Sequence, residues 1–221
     1  QLHLADVVRI DHFRGFVDYW EIPANEPTAI HGCWRLGPGA ALFDALAQAL
    51  GPLPIIAEDL GIITPEVHAL RERTGFPGMR VLQFAFSGDA GNAFLPHNFD
   101  PNTVVYTGTH DNDTVPGWWA SCNGHERSFA GQYLGTDGHE VQWAMLRAAS
   151  FSVARLSLCQ FQDVLGLDSR HRMNTPGTAE GNWRWRFARG DLTDELAARL
   201  RALAGEPAVQ AALLAALAGA D

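Results

Sequence analysis

Three short stretches each end a β-type run on acidic residues: Val7-Val8-Arg9-Ile10-Asp11-His12, Ile55-Ile56-Ala57-Glu58-Asp59 and Tyr106-Thr107-Gly108-Thr109-His110-Asp111-Asn112-Asp113. Exchange of glycosidic bonds needs carboxylates on separate strands, one to attack or stabilise the sugar carbon and another to carry the proton. Arg9 and Asp11 are two apart, so a strand sends both side chains to the same face. A guanidinium beside a carboxylate favours the ionised form, which suits a nucleophile. Each acid taken alone also reads as a helix cap or a turn residue. Three of them, each behind an apolar or β-rich run, point instead to a polar active site.

The elements that must position these acids follow from periodicity. A first strand is expected at 6–11, then a long irregular connection through Pro23, Pro27, Gly32, Gly37, Pro38 and Gly39. Leu42, Phe43, Leu46 and Leu50 predict a helix over 40–50, ended by Gly51-Pro52, and Ile55-Ile56-Ala57 reads as a buried strand. Thr64-Pro65-Glu66 starts a second helix, with Gly75 as its stop. Strands are expected at Arg80–Phe86, at Thr103–Tyr106 and near 157–161, and helices at 139–156, 194–204 and 207–218. Alternation of this kind predicts an α/β fold with a covered parallel sheet. Acids placed where strands hand over to loops are the layout of a TIM (β/α)8 barrel. Five strands are visible where such a barrel needs eight. The shortfall falls at the N-terminal side, where residue 1 is Gln and the first strand is reached by Val7. The expectation is therefore the C-terminal part of a longer protein, with 1–190 belonging to the barrel and 191–221 forming helices that pack on it.

Composition narrows the function class. Hydrophobic residues make up 47% of the 221, enough for a substantial core, and the net charge of −9 argues against nucleic acid or an anionic membrane as partner. Seven Trp residues supply indole faces that serve either a core or a sugar ring. Cys33, Cys122 and Cys159 are odd in number and lack metal-site spacing, which fits free thiols in a reducing cytoplasm. No run of about 18 apolar residues and no leader segment is visible.

With these residues in view, the chain resembles the C-terminal part of the 4-α-glucanotransferases, the amylomaltases or disproportionating enzymes of glycoside hydrolase family 77. The resemblance runs from Val7 to Arg186. It rests on Arg-Ile-Asp-His-Phe-Arg-Gly at 9–15, Ala-Glu-Asp-Leu-Gly at 57–61 and Thr-Gly-Thr-His-Asp-Asn-Asp-Thr at 107–114. Pro77-Gly78-Met79, Val81-Leu82-Gln83-Phe84, Leu95-Pro96-His97-Asn98, Met173-Asn174-Thr175-Pro176-Gly177-Thr178 and Asn182-Trp183-Arg184-Trp185-Arg186 extend it. The resemblance implies Asp11 as nucleophile at the end of the fourth barrel strand and Glu58 as general acid/base at the end of the fifth. Asp111, after the seventh, is implied as the third carboxylate, in the His110-Asp111 pair, with Asp113 a loop or cap residue. The resemblance further implies that Arg9 holds Asp11 ionised, that His110 binds sugar hydroxyls, that Phe84 is an aromatic glucan contact and that Asn174 borders the substrate groove. Asp59 and His12 follow the key acids directly, and a structural role is expected of both.

What the resemblance implies for function is transfer of α-1,4-glucan segments between maltooligosaccharides or to glucose, in glycogen, starch or maltose metabolism, without cofactor or metal. A retaining mechanism needs two carboxyls about 5–5.5 Å apart, with Glu58 protonated at the start. The family's first three strands are absent, and the connection Phe86–Gly91 looks shorter than the family's. The isolated chain is thus expected to be inactive, and unstable or associated with the missing N-terminal part or with another copy. Three other readings compete. One is a metal-dependent hydrolase using His12, Asp59, His110 and Asp111, disfavoured because none of the nine His residues stands in a His-x-His pair. Another is a non-catalytic glucan-binding or interaction fragment, and the third is hydrolysis in place of transfer.

Overall fold

A computed structural model describes residues 1–205, and the helix expected over 207–218 lies outside the described residues. The chain divides into two compact units, Gln1–Met79 and Arg80 onward. The fold is α/β with parallel strand pairs.

In the first unit the order is β1 (Val8–Ile10), β2 (Asp18–Glu21), β3 (Cys33–Leu36), α1 (Ala40–Leu50), β4 (Ile55–Ala57) and α2 (Pro65–Thr74), with β5 (Gly78–Val81) beginning at its end. β1 and β4 pair in parallel, Val8 opposite Ile55, Arg9 opposite Ile56 and Ile10 opposite Ala57. All three β4 residues are buried, as an apolar run in a covered strand should be. α2 begins with Pro65 at its first position behind Thr64 and carries Glu66 in its first turn. It stops at Gly75, whose φ of 70° suits a residue without a Cβ. The core is aromatic. Phe13 is fully buried and lies 5.6 Å from Phe43, which is 5.4 Å from Phe76. Val67 and Leu70 close that core from α2 and Ile55 and Ala57 from β4.

The connection expected to be irregular contains a hairpin. β2 and β3 run antiparallel with Trp20 opposite Trp34, their rings 5.4 Å apart and edge to face. Trp20 Nε1–H donates to the Ala29 carbonyl at 2.8 Å, and the Arg14 guanidinium lies 4.6 Å above the Trp34 ring. A Cβ at Gly32 would run into the Trp20 indole, so close approach requires glycine there.

The second unit continues with β6 (Thr103–Tyr106), α3 (Val115–Ser121), α4 (Gly124–Leu134), α5 (Val141–Ser150), β7 (Leu156–Leu158), α6 (Phe161–Val164) and α7 (Asp194–Gly205). Its sheet has the order β5-β6-β7, and β6 and β7 are parallel with Val105 opposite Ser157. The strand expected at Arg80–Phe86 occupies Gly78–Val81 instead, and Leu82–Phe84 turn as a 3-10 helix. That turn buries Leu82 and Gln83 and leaves Phe84 41% exposed. The helix expected over 139–156 is shorter, because Glu140 is left-handed at φ 51° and the chain leaves α5 at Phe151. α3 and α4 occupy a stretch for which no element was expected. α4 is closed by a capping box between Asn123 and Glu126. Leu196, Leu200 and Leu203 of α7 pack against Trp143, Leu146 and Val164. Arg199 lies 3.9 Å over the Trp143 ring and bonds both oxygens of Glu140. No helix among the described residues is long and apolar enough to cross a membrane.

Phe13 carries the aromatic core directly behind Asp11. Replacing it with Ala should lower stability by about 3–5 kcal/mol, read as a shift of the urea midpoint at unchanged slope. A loss below about 1 kcal/mol would mean that the site collapses around the cavity.

Candidate active site

The first unit holds two carboxylates on adjacent parallel strands. Asp11 follows β1 directly and its side chain is 78% exposed, while Arg9 NH2 donates to its Oδ1 at 2.7 Å. Arg9 Nε–H also reaches the Met79 sulfur at 3.3 Å, which fixes the guanidinium from its other edge. Glu58 follows β4 and is buried. Its Oε2 accepts the His12 N–H at 2.6 Å and its Oε1 the Leu60 N–H at 2.8 Å. The backbone is stitched in the same place, for Glu58 N–H donates to the Ile10 carbonyl and Phe13 N–H to the Glu58 carbonyl, each at 3.0 Å. The residue that follows Asp11 therefore orients the carboxyl of Glu58.

His12 does this from a left-handed backbone, φ 50° and ψ 53°, which costs an L-residue roughly 1–2 kcal/mol. Its side chain is exposed, so its described link to Glu58 is through the backbone. Asp59 points the other way. It is buried, accepts the Met79 N–H at 2.6 Å and pairs with the buried Arg71 at 3.4 Å. A Cβ at Gly78 would meet the Asp59 carboxylate, so glycine is needed there too.

The second unit gathers His110, Asp111 and Asn174. Asn174 Nδ2–H donates to Asp111 Oδ1 at 2.6 Å, and His110 Nε2 lies 3.4 Å from the same oxygen. The backbone follows suit, with Asn174 N–H donating to the His110 carbonyl at 3.2 Å and Arg172 NH2 to the Asp111 carbonyl at 2.9 Å. Trp183 covers the imidazole at 5.1 Å between ring centres, from a left-handed backbone at φ 62°. Phe84 is not drawn into this trio, and its ring meets Phe94 edge to face at 5.6 Å. Asp113 is tied into the loop: its Oδ1 accepts the Thr114 N–H and its Oδ2 the Ser169 hydroxyl, at 2.8 and 2.7 Å.

Sequence reasoning missed four side chains of these surroundings. Gln83 donates to the Asp113 carbonyl at 2.7 Å. Trp183 was quoted within a motif and given no role. Arg71 carried no signal beyond its charge. Asp163, fully buried, accepts the Thr107 hydroxyl at 2.8 Å and the Val115 N–H at 2.7 Å. Burial pushes Asp163 up to about 6, helped by the negative charge of Asp113 and opposed by those two bonds.

The family described as 4-alpha-glucanotransferase, glycoside hydrolase 77, matches residues 1–193, and the chain belongs to that family. The chain is 53% identical over 211 residues to the 4-alpha-glucanotransferase of Thermus thermophilus, covering 92% of this chain and 42% of that protein. It is 50% identical over 194 residues to a chloroplastic/amyloplastic 4-alpha-glucanotransferase of Arabidopsis thaliana, covering 87% and 34%. Among solved structures, the amylomaltase from Streptococcus agalactiae in complex with acarbose superposes with a TM-score of 0.88 at 39% identity, covering 92% of this chain and 41% of that one. The chain thus spans less than half the length of each of these relatives.

The His12 backbone yields a direct test. His12→Gly keeps the N–H that Glu58 accepts and removes the left-handed penalty but adds glycine's unfolded-state entropy, so unfolding in urea should show stability held or raised, by up to about 1 kcal/mol. A loss of more than about 1 kcal/mol, beyond what glycine's unfolded-state entropy explains, would show that the imidazole itself makes a stabilising contact.

Proposed function

We propose that these residues form the acid-bearing part of a retaining 4-α-glucanotransferase. In this reading β1, β4, β5, β6 and β7 are strands four to eight of a (β/α)8 barrel, and the β2–β3 hairpin is an insertion after the fourth. The observation that carries the proposal is the placement of Asp11 and Glu58 directly after two paired parallel strands, with the His12 amide holding Glu58. Membership of the family and the relatives' shared activity name support it.

In the proposed mechanism Asp11 attacks the anomeric carbon while Glu58 passes its proton to the departing glycosidic oxygen. Glu58 then takes the proton from the 4-hydroxyl of an acceptor sugar, which displaces Asp11 and leaves a new α-1,4 bond with the original configuration. The two amides on Glu58 occupy one lone pair on each oxygen and fix the plane of the carboxyl without blocking the transfer. Asp111, steadied by Asn174 and His110, stabilises positive charge on the sugar ring in the transition state. His110 and Asn174 have polar edges for sugar hydroxyls, and the exposed ring of Phe84 is an apolar surface for a pyranose face. The substrate is an α-1,4-glucan or maltooligosaccharide, in the metabolism of glycogen, starch or maltose. Acarbose, a glucan mimic by its chemistry, is bound by the Streptococcus agalactiae relative, which supports this substrate class.

Free thiols at Cys33, Cys122 and Cys159 support the cytoplasm as compartment. Burial pushes the thiol of Cys122 up to about 11, which keeps it protonated and poorly reactive.

The test joins this chain to the part of the Thermus thermophilus relative that it does not match. Asp11→Asn and Glu58→Gln should each abolish nearly all maltotriose disproportionation, with general acid–base help alone worth roughly 10²–10⁴-fold. The 221 residues alone should be inactive. Unchanged turnover in either variant would overturn the assignment, and an inactive joined protein that still binds maltotriose would favour the non-catalytic glucan-binding reading.

A further inference from the structure

Asp163 takes no part in the proposed chemistry, yet both of its oxygens are committed to a single loop. Its Oδ2 accepts the hydroxyl of Thr107, the residue after β6, at 2.8 Å. Its Oδ1 accepts the N–H of Val115, the first residue of α3, at 2.7 Å. Thr107, Val115 and Asp163 are all fully buried. Between the two anchor points run residues 108–114, and at their crown stand His110 and Asp111, which are 39% and 50% exposed. The descending arm has its own ties, from Gln83 Nε2 to the Asp113 carbonyl at 2.7 Å and from the Ser169 hydroxyl to Asp113 Oδ2 at 2.7 Å. Asn112 braces the loop from within, its Oδ1 accepting both the Thr109 N–H and the Thr109 hydroxyl at 2.9 Å.

We propose that Asp163 is a positioning residue, a buried carboxylate that clamps both ends of the 107–115 loop and so sets where Asp111 meets Asn174. The consequence for catalysis rests on the role given to Asp111 above, whereas the clamp itself does not. A carboxylate suits this task better than an amide, because both of its oxygens accept and charge strengthens each bond. An asparagine offers one acceptor and would present an N–H to the other side, so the Thr107 hydroxyl would have to turn and accept.

The clamp titrates, and its surroundings offer the charged form little compensation. The ionisable groups that face Asp163 are Asp113, from the loop, and Cys159, next to β7. The first adds negative charge and the second stays neutral. Arg172 lies nearby but approaches Asp113 only to 4.0 Å. Burial and the Asp113 charge push Asp163 up to about 6, so its proton is taken up as pH falls through that value and the clamp loses its charge. Because that value lies above a free carboxyl's, the closed loop takes up the proton more readily than an open one, so protection of the loop grows as pH falls through about 6.

Hydrogen exchange read by mass spectrometry tests this on the chain as purified, alone or with whatever partner it carries, and needs no activity. The readout is the rate for peptides covering 107–115, with α5 peptides as the internal reference. Asp163→Asn should speed exchange of the loop roughly tenfold at pH 7.5, the difference between a charged and a neutral acceptor. At pH 5 the variant-to-wild-type ratio should rise further, because proton uptake by the buried carboxyl steadies the wild-type loop and the amide cannot titrate. Thr107→Val keeps Asp163 and removes one donor, and it should speed the loop at pH 7.5 with α5 unchanged. This second variant decides the matter if Asp163→Asn does not fold. A ratio that stays at one across the pH range, or a loop that speeds up only in step with α5, would overturn the clamp. Loss of maltotriose turnover in the joined protein with unaltered loop exchange would count against the clamp, leaving the role of Asp111 standing.

Discussion

Parallel pairing of two three-residue strands sets the chemistry of the first unit. Ile10 and Ala57 stand opposite each other, so the next residue on each strand, Asp11 on one and Glu58 on the other, leaves the ladder at the same height. Neither strand could hold a carboxylate in place alone at that length. The ladder is continued past its end by the bonds from Glu58 N–H to Ile10 and from Phe13 N–H to Glu58, and then by the His12 amide on the Glu58 side chain. The phenylalanine cluster of Phe13, Phe43 and Phe76 seals this arrangement from behind. The left-handed turn at His12 is the local cost of aiming its amide at a carboxylate.

The acids are held by different means. Asp11 is open to solvent, with the Arg9 guanidinium 2.7 Å away. Glu58 is buried and gripped by backbone donors, which fixes direction at little entropic cost. Asp111 is half exposed and steadied by side chains, Asn174 and His110, whose polar edges are also those a sugar would meet. Backbone amides hold the carboxyl of Glu58, and polar side chains surround that of Asp111.

Much of this was legible in the residues. Strand ends marked by Arg9-Ile10-Asp11 and Ala57-Glu58 were readable because β-branched runs and acids follow one another without interruption. The helix from Pro65 was readable because its start and stop residues each have a backbone reason. The β2–β3 hairpin was not, since Pro23, Pro27 and a short 3-10 turn separate its two four-residue strands and hide the pairing of Trp20 with Trp34. The strand expected to reach Phe86 ended early because Leu82–Phe84 turn as a 3-10 helix, closed by the Ala85 N–H on the Leu82 carbonyl. Asp163 gave no signal at all: it sits on a four-residue helix, and its partner Thr107 lies 56 positions away in the sequence. Contacts of that separation are made by the tertiary fold, and no local pattern announces them.

The most direct measurement concerns the bond that the reaction should form. The chain joined to the unmatched part of its Thermus thermophilus relative, carrying Glu58→Gln, would be incubated with α-maltotriosyl fluoride, whose leaving group needs no acid. Attack by the Asp11 carboxylate expels fluoride and leaves a maltotriosyl ester that the variant cannot efficiently release to an acceptor. Peptide mass spectrometry should then find the added maltotriosyl mass on the peptide that contains Asp11. Finding it on the peptide that contains Asp111, or finding fluoride released with no labelled peptide, would contradict the account.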